Sequence, residues 1–250
     1  MRRAWVVVAL LALAPRLAEA QAVRLCTTEW PPYTVGSGAV VDGVHTRMVL
    51  EAFRRVGLKA TIDSVAWERC WNELAKGSYD GIYSASYNDE RAQVARYPWT
   101  PLQSLSYVAV VRRGQGRDWT GDDLGKLPQP LASPRGYSIT AILRKAVGAV
   151  DDGAMKDAQN LEKLVAGRVG TAVVEAAVAR VLIRDMGIAD RVEVLPAPVG
   201  PPRDYFLVIG HKAGGSEAAS SDLTSRLDAV LEEIRREGMV DRLLNEAGVR

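Results

Sequence analysis

Apolar and polar residues alternate along the first hundred positions in a pattern that predicts strands followed by helices. Three short runs read as strands, because they are β-rich or alternate between apolar and polar residues: "AVRLCTT", "LKATIDSV" and "YDGIYSA". Between them, "HTRMVLEAFRRVG" and "WERCWNELAKG" place apolar residues at helical spacing and end on a glycine. This β-α-β-α-β order predicts an open, mostly parallel sheet that is covered by helices.

The same alternation starts again after about a hundred residues. The strands predicted there are "LSYVAVVRR" and "GTAVVE", and the helices are "ITAILRKAVG", "NLEKLVAGR" and "AAVARVLIRDMG". A proline cluster follows, which predicts a connector because proline is poor strand material: Pro196, Pro198, Pro201 and Pro202. Two amphipathic helices, "DLTSRLDAVLEEIRREG" and "MVDRLLNEAG", come last. The pattern therefore predicts two α/β units.

The N-terminus has the pattern of a secretory signal. Two arginines precede an apolar run from Ala4 to Ala14, and Ala18 and Ala20 form the small-x-small pattern of a cleavage site. A transmembrane anchor is the alternative, but it needs about 20 apolar residues and this run is about half as long. We expect cleavage after residue 20 and export to the periplasm as a soluble protein.

Loss of residues 1–20 changes the charge of the protein. It removes three of the 32 basic residues and one of the 30 acidic residues, so the net charge falls from +2 to zero. A neutral chain gives no electrostatic reason to expect binding to nucleic acid or to an anionic membrane. We therefore expect no nucleic-acid partner.

Three loops at strand ends carry candidate binding residues. In open α/β sheets, ligands bind beyond the carboxyl ends of the strands. The loops there supply aromatic surface from Trp30, Tyr33 and Trp67, and Arg91 supplies a planar donor that can bind a carboxylate with two bonds. The alternatives are core aromatics and a surface salt bridge from Arg91 to a neighbouring acid. Because the loops that carry these four residues meet at one edge of the sheet, a binding site is favoured over these alternatives.

The sequence offers little for metal, phosphate or triad chemistry. Its two histidines, His45 and His211, lie far apart, and there is no glycine-rich phosphate loop. We therefore expect no cofactor, no metal site and no catalytic residue. The two cysteines, Cys26 and Cys70, could form a disulfide in an oxidising compartment or remain two buried thiols.

Several motifs, taken in order, resemble one protein family. They are "TEWPPY", "AWERC", "GSYDGIYSASYNDERA", "YVAVVRRG", "LEKLVAGRVGTAVVE" and "DYFLVIGHKAG". The chain resembles the bacterial family-3 extracellular solute-binding proteins, the periplasmic receptors of ABC transporters for polar amino acids. The resemblance implies a type II periplasmic-binding-protein fold. Its lobe 1 would comprise residues 21–102 and 204–250, its lobe 2 residues 103–203, and two hinge crossovers would join them near residues 101–105 and 201–205.

The resemblance also implies a function and a partner. A monomeric protein of this kind captures a small carboxylate-bearing ligand, here a polar amino acid or related zwitterion, by hinge closure and delivers it to a membrane ABC permease. Relatives similar to "RLC" followed by "WxRC" imply that Cys26 and Cys70 form a disulfide.

Carried over position by position, the resemblance implies a set of ligand contacts. Arg91 matches the arginine that binds the ligand α-carboxylate, and Glu175 stands where the family usually has an aspartate for the ligand ammonium. The remaining positions match aromatic, hydroxyl and anion-facing contacts: Trp30, Trp67, Ser84, Ser86, Arg135, Gly136, Tyr137 and Ser138.

Two alternative functions remain open. A few relatives of this fold are dehydratases that act on cyclohexadienyl acids, and Glu175 could serve such an enzyme as a general acid if burial raises its pKa. The other alternative is the sensor domain of a membrane kinase, which requires a transmembrane segment that this sequence is not predicted to contain.

Overall fold

The computed structural model describes residues 22–249. The predicted signal peptide, residues 1–20, lies outside these described residues. Within them, none of the helices is both long enough and apolar enough to cross a membrane.

The elements follow the order that the apolar pattern predicts, with several short strands added. The strands are β1 (Val23–Thr27), β2 (Val35–Ser37), β3 (Val40–Asp42), β4 (Ala60–Ser64), β5 (Gly81–Ser86), β6 (Ala95–Arg96), β7 (Gln103–Leu105), β8 (Tyr107–Arg112), β9 (Leu131–Ala132), β10 (Val150–Asp151), β11 (Thr171–Glu175), β12 (Val192–Pro198) and β13 (Arg203–Gly210). The helices are α1 (Val44–Arg55), α2 (Trp67–Lys76), α3 (Asp89–Ala92), α4 (Ser138–Val147), α5 (Asp157–Val165), α6 (Ala176–Asp185), α7 (Glu217–Arg236) and α8 (Met239–Glu246).

The first sheet has the strand order β4-β1-β5-β13-β6, and β7 also pairs with β13. β1 runs parallel to β4 and β5, whereas β13 runs antiparallel to β5, β6 and β7. Helix α1 buries Met48, Val49, Ala52 and Phe53, which recur at helical spacing, and it contacts α7 and α8. The N-terminal and C-terminal parts of the chain therefore share one sheet and one layer of helices.

The second sheet has the strand order β10-β9-β11-β8-β12. β9 runs parallel to β10 and β11, and β8 runs antiparallel to β11 and β12. β11 is buried along its whole length, as expected for a strand that is covered on both faces. Parallel pairing is thus confined to three adjacent strands in each sheet.

The proline cluster differs from its prediction as a connector. Val192–Pro198 forms β12, so Pro196 and Pro198 belong to a strand. β12 lies at the edge of its sheet, and its register to β8 shifts between Val194 and Pro198. An edge strand tolerates proline because its outer N–H groups need no partner in the sheet. Only Pro201 and Pro202 lie between β12 and β13.

The chain passes between the two sheets twice, from β7 to β8 and from β12 to β13. The two passages lie side by side, because β7 pairs with β13 and β8 pairs with β12. Two adjacent short connections between separate sheets are the arrangement that a hinge requires.

Cys26 and Cys70 form a disulfide that links β1 to α2, with their Cα atoms 5.8 Å apart. Both residues are fully buried. The structure therefore contains the bridge that the family resemblance implied, in place of two separate thiols.

Candidate functional site

A small cavity lies between the two sheets, where the ends of β1 and β5 meet the start of α4. Its volume is about 20 Å³, which leaves room for about one water molecule. Its walls come from both sheets and comprise Thr28, Trp30, Trp67, Ser84, Ser86, Arg91, Tyr107, Tyr137, Ser138 and Tyr205. Seven of these were assigned to the site from the sequence: Trp30, Trp67, Ser84, Ser86, Arg91, Tyr137 and Ser138.

Arg91 is a buried cation at the cavity wall, with 8% of its surface exposed. Its Nη1 donates to the carbonyl oxygen of Ser86 at 3.0 Å and to the Ser86 Oγ at 3.1 Å. Its Nη2 donates to the carbonyl oxygen of Gly136 at 2.9 Å. No carboxylate forms an ion pair with Arg91 within residues 22–249, so the salt bridge to Asp89 or Glu90 is not formed.

Aromatic rings surround the Arg91 guanidinium. Its Cζ lies 5.3 Å from the ring centroid of Trp67 and 5.0 Å from that of Trp71, which is one helical turn further along α2. Such contacts stabilise a cation modestly and leave its charge uncompensated. Burial lowers the pKa of Arg91, because the charged form loses hydration. A buried cation held only by neutral groups is suited to receive an anion.

A bulge in β5 shapes the cavity wall beside Arg91. Two β5 residues, Tyr83 and Ser84, lie opposite a single residue of β13. Ser84 has a φ of 60°, a left-handed conformation that is rare for residues other than glycine. Its Oγ lies 2.9 Å from Nδ1 of the buried His45. Bulges of this kind redirect side chains at the end of a strand.

The two sides of the cleft contact each other directly. Ser86 Oγ lies 2.7 Å from Ser138 Oγ, and Arg203 Nη2 donates to the same Ser138 Oγ at 3.2 Å. The loop that carries Gly136 also approaches the other side of the cleft closely, since a Cβ at this position would lie 3.0 Å from the Cγ of Glu68. The φ of Gly136, +75°, likewise favours glycine. The structure is therefore closed across the cleft.

Glu175 does not line the cavity. Its Oε2 accepts hydrogen bonds from the backbone N–H groups of Ala177 at 2.9 Å and Val178 at 3.0 Å, which makes it the N-cap of α6. Burial raises the pKa of Glu175 to about 7, while the bonds from these amides and from the Tyr33 hydroxyl act in the opposite direction. The carboxyl group is thus occupied by contacts within the protein.

Arg135 is also absent from the cavity wall. Its side chain is exposed, and its backbone N–H donates to the carbonyl oxygen of Ala154 at 2.8 Å. The loop that carries it contributes Tyr137 and Ser138 instead.

Two tyrosines of the cavity wall were not expected from the sequence. Tyr107 and Tyr205 line the cavity, and their hydroxyl oxygens lie 2.6 Å apart. Each lies near the start of a strand and therefore resembles a core residue in the sequence.

In the described part of the chain, no three His, Cys, Asp or Glu side chains come together as a metal site. The polar groups around the cavity are hydroxyls, one guanidinium and backbone carbonyls. This set of groups is suited to hydrogen bonding with a small polar ligand.

A match to a known family shows which family the chain belongs to. Residues 23–248 match the bacterial extracellular solute-binding proteins, family 3. The chain belongs to this family. The resemblance inferred from the motifs is thereby confirmed. Comparison with curated proteins gives no match.

Solved structures of several solute-binding proteins have the same fold. An ancestral arginine-binding protein bound to arginine has a TM-score of 0.75 at 16% identity, covering 90% of this chain and 97% of the other. The arginine-, lysine-, histidine-binding protein ArtJ from Geobacillus stearothermophilus has a TM-score of 0.73 at 13% identity, covering 90% and 94%. A histidine kinase sensor domain with similarity to periplasmic binding proteins has a TM-score of 0.74 at 18% identity, covering 90% and 95%.

At these identities the structural likeness establishes the fold alone. It is the type II periplasmic-binding-protein fold, and the predicted fold class is confirmed. Membership of the family places the protein among the bacterial extracellular solute-binding proteins.

Proposed function

We propose that this protein is the periplasmic receptor of an ABC transporter and that it captures a small carboxylate-bearing ligand, a polar amino acid or related zwitterion. Membership of the solute-binding family and the arginine-binding relatives of the same fold support an amino-acid ligand. The ligand would be delivered to a membrane permease by the closed, monomeric protein.

The observation that carries this proposal is the buried charge of Arg91. A guanidinium has five N–H donors, and three of those of Arg91 bond to neutral oxygens of Ser86 and Gly136. Two N–H donors therefore remain for a ligand. Among the described residues Arg91 has no ion-pair partner. A ligand carboxylate that accepted these two N–H groups would supply the missing negative charge.

Ligand entry requires the cleft to open. A cavity of about 20 Å³ is far smaller than an amino acid, so the closed arrangement has no entry for a ligand of that size. We infer that lobe 1, residues 21–102 and 204–250, and lobe 2, residues 103–203, separate about the two passages of the chain. Pairing of β7 with β13 supports a hinge immediately after Leu105.

The geometry favours ligand capture over the dehydratase alternative. A general acid must contact its substrate, whereas Glu175 caps α6 and does not line the cavity. Its raised pKa would suit a proton donor, but its position would not.

A thermal-shift screen of the mature protein tests the proposal. The probes are the polar amino acids, small carboxylates without an amine, and prephenate-like acids, and each hit is then incubated with the protein and assayed for consumption. We expect an amino acid to raise the melting temperature and to remain intact. Consumption of the hit would identify an enzyme, and the absence of any hit in all three classes would contradict the proposed function.

A further inference from the structure

A second arginine contacts the cavity wall, and the proposed function does not use it. Arg203 is the first residue of β13, and its Nη2 donates to the Oγ of Ser138 at 3.2 Å. Ser138 lines the cavity, so the Arg203 guanidinium reaches the cavity through this hydroxyl group. Arg203 and Tyr205 are two positions apart on one strand and therefore lie on the same face of it, and Tyr205 also lines the cavity.

The charge of Arg203, like that of Arg91, has no carboxylate partner. No ion pair to Arg203 is formed within residues 22–249. The adjacent Asp204 lies on the opposite face of β13, and its Oδ1 accepts a hydrogen bond from the Ser104 hydroxyl. The Nε of Arg203 is buried without a hydrogen-bond partner. A buried donor of a cationic group is costly unless an acceptor binds to it.

The two arginines stand on either side of a pair of hydroxyl groups. Arg91 Nη1 donates to Ser86 Oγ at 3.1 Å, and Ser86 Oγ lies 2.7 Å from Ser138 Oγ. Arg91, Ser86, Ser138 and Arg203 thus form a continuous row of polar side chains. Ser86 ends β5 and Ser138 begins α4, so the middle of this row is a point where the two sides of the cleft meet.

The row contains more hydrogen-bond donors than it uses. Each serine hydroxyl accepts from a guanidinium, and a single O–H group suffices for the bond between the two hydroxyls. One O–H donor therefore remains, in addition to the Nε of Arg203. The N-terminus of α4 adds the positive end of a helix at Ser138, where no side chain caps it. All of these groups favour a negatively charged acceptor.

A ligand that enters the cleft has to part the row at its centre. The cavity of about 20 Å³ is too small for an amino acid, so its walls must separate around a ligand of that size. Separation of Ser86 from Ser138 leaves one guanidinium on each side of the ligand. A single carboxylate on Arg91 leaves Arg203 without a counter-charge, whereas two carboxylates can pair both arginines.

We propose that the ligand carries two carboxylates and that Arg203 binds the second one. This inference rests on the proposed function and narrows its ligand to an acidic amino acid, held between Arg91 and Arg203. The chemistry that the two arginines recognise is that of a small dicarboxylate. Arg203 is then a specificity-determining residue, because it distinguishes a side-chain carboxylate from the neutral amide of the same shape.

Isothermal titration calorimetry with matched probes tests the inference. L-glutamate is compared with L-glutamine, and L-aspartate with L-asparagine, since the members of each pair differ in one charge and hardly in shape. Glutarate and succinate are dicarboxylates without an amine, and L-arginine carries the opposite side-chain charge. The variants are Arg203→Gln, Arg203→Lys and the exposed control Arg236→Gln, whose native side chain is 69% exposed. Circular dichroism establishes that each variant is folded.

We expect the wild-type protein to bind one acidic amino acid at least ~30-fold more tightly than its amide counterpart. Arg203→Gln should reduce this ratio to less than ~3-fold, because it weakens binding of the acid and leaves that of the amide unchanged. Arg203→Lys should keep part of the ratio, since it keeps the charge without the planar donors. Arg236→Gln should change neither affinity.

Two features of this design keep a structural role apart from a role in binding. A merely structural Arg203 would weaken the acid and the amide equally when it is replaced, and that result overturns the inference. The wild-type ratio needs no variant, so it tests the inference even if Arg203→Gln does not fold.

The outcomes also separate the inference from the proposed function. If the wild type binds the amide or L-arginine as tightly as the acid, and Arg91→Ala abolishes this binding, the inference alone is overturned. Tighter binding of glutarate or succinate than of either acidic amino acid would support two carboxylates and contradict an amino-acid ligand. If none of the probes binds the wild-type protein, both the proposed function and the inference are overturned.

Discussion

Arg91 combines burial with a charge that no carboxylate among the described residues pairs, and this combination supports the proposal that it contacts the ligand. Truncation of a buried, charge-assisted contact costs about 2 to 5 kcal/mol, whereas an exposed ion pair is worth about 0 to 1 kcal/mol. We therefore predict that Arg91→Ala folds but binds its amino-acid ligand at least ~30-fold more weakly by calorimetry. Arg91→Lys should restore only part of the affinity, because an ammonium keeps the charge without the paired donors.

The matched control for Arg91 is Arg54→Ala. Arg54 is 69% exposed at its side chain and pairs with Glu51 at 2.7 Å, so its removal should leave ligand affinity unchanged. Equal affinity of Arg91→Ala and wild type, together with a lower melting temperature of the empty variant, would make Arg91 a structural residue.

The buried acids predict how stability depends on pH. Burial raises the pKa of Asp157 from 3.8 to about 7 and that of Glu175 from 4.5 to about 7. Between the ordinary and the raised values the folded protein binds more protons than the unfolded chain, so these groups lower its stability as the pH rises from about 4 to about 7. Burial lowers the pKa of His45 from 6.5 to about 3, which acts in the opposite direction.

A difference measurement isolates the effect of the acids, because His45 is common to both proteins. The melting temperature of an Asp157→Asn/Glu175→Gln double variant should rise relative to wild type as the pH increases from 4 to 7. If the melting temperatures of the variant and the wild type changed with pH in parallel over this range, the two acids would not titrate as their burial implies.

At the residue scale, the sequence indicated the edge where the cavity lies but not the direction of each side chain. Seven of the residues predicted to contact a ligand line the cavity: Trp30, Trp67, Ser84, Ser86, Arg91, Tyr137 and Ser138. Glu175 ends a strand at the same edge, and yet its carboxylate turns to the N–H groups of the following helix. Tyr107 and Tyr205 could not be recognised, because they belong to strands whose meeting at the cavity depends on how the two sheets pack.

The disulfide is the covalent link between two elements, β1 and α2. Cys26 and Cys70 are 44 positions apart, and closing a loop of that length corresponds to ~4 kcal/mol in the chain-entropy relation. We predict that Cys26→Ala/Cys70→Ala lowers the free energy of unfolding by ~2 to 4 kcal/mol in urea titrations. Reduction of the wild-type protein should have a similar effect, and a loss below ~1 kcal/mol would show that the bridge adds little.

Element boundaries were predictable where apolar periodicity was strong. Helices α1 and α2 and strands β5 and β11 lie where the pattern placed them. The sequence did not predict β12. The low strand propensity of proline is visible in the sequence, whereas the edge position that allows β12 to contain proline is visible only in the folded sheet. The β5 bulge was missed for the same reason, since it is defined by the pairing with β13.

The whole molecule is described in a closed arrangement, in which several polar contacts join the two sheets across the cleft. Besides the contacts of Arg91 and Ser138, the hydroxyl oxygens of Tyr107 and Tyr205 lie 2.6 Å apart. Lys156 and Glu29 form an ion pair whose side chains are 53% and 37% exposed. Such an exposed pair is worth about 0 to 1 kcal/mol. We expect a ligand that contacts both lobes to add to these contacts and so to favour the closed state.

The two-lobe organisation was the part of the structure most accessible from sequence. The restart of the α/β pattern near residue 105 and the family motifs both indicated it. The degree of closure was not accessible, because it depends on contacts such as that between Arg91 and Gly136, which are made only when the two sheets meet.

Small-angle X-ray scattering with and without the ligand tests the central claim, capture between two closing lobes, most directly. The ligand-free protein should be more extended than the structure described here, since an amino acid cannot enter a cavity of about 20 Å³. At saturating ligand the radius of gyration should fall, and the scattering curve should approach that of the closed structure. A radius of gyration that is the same with and without saturating ligand would contradict capture by hinge closure.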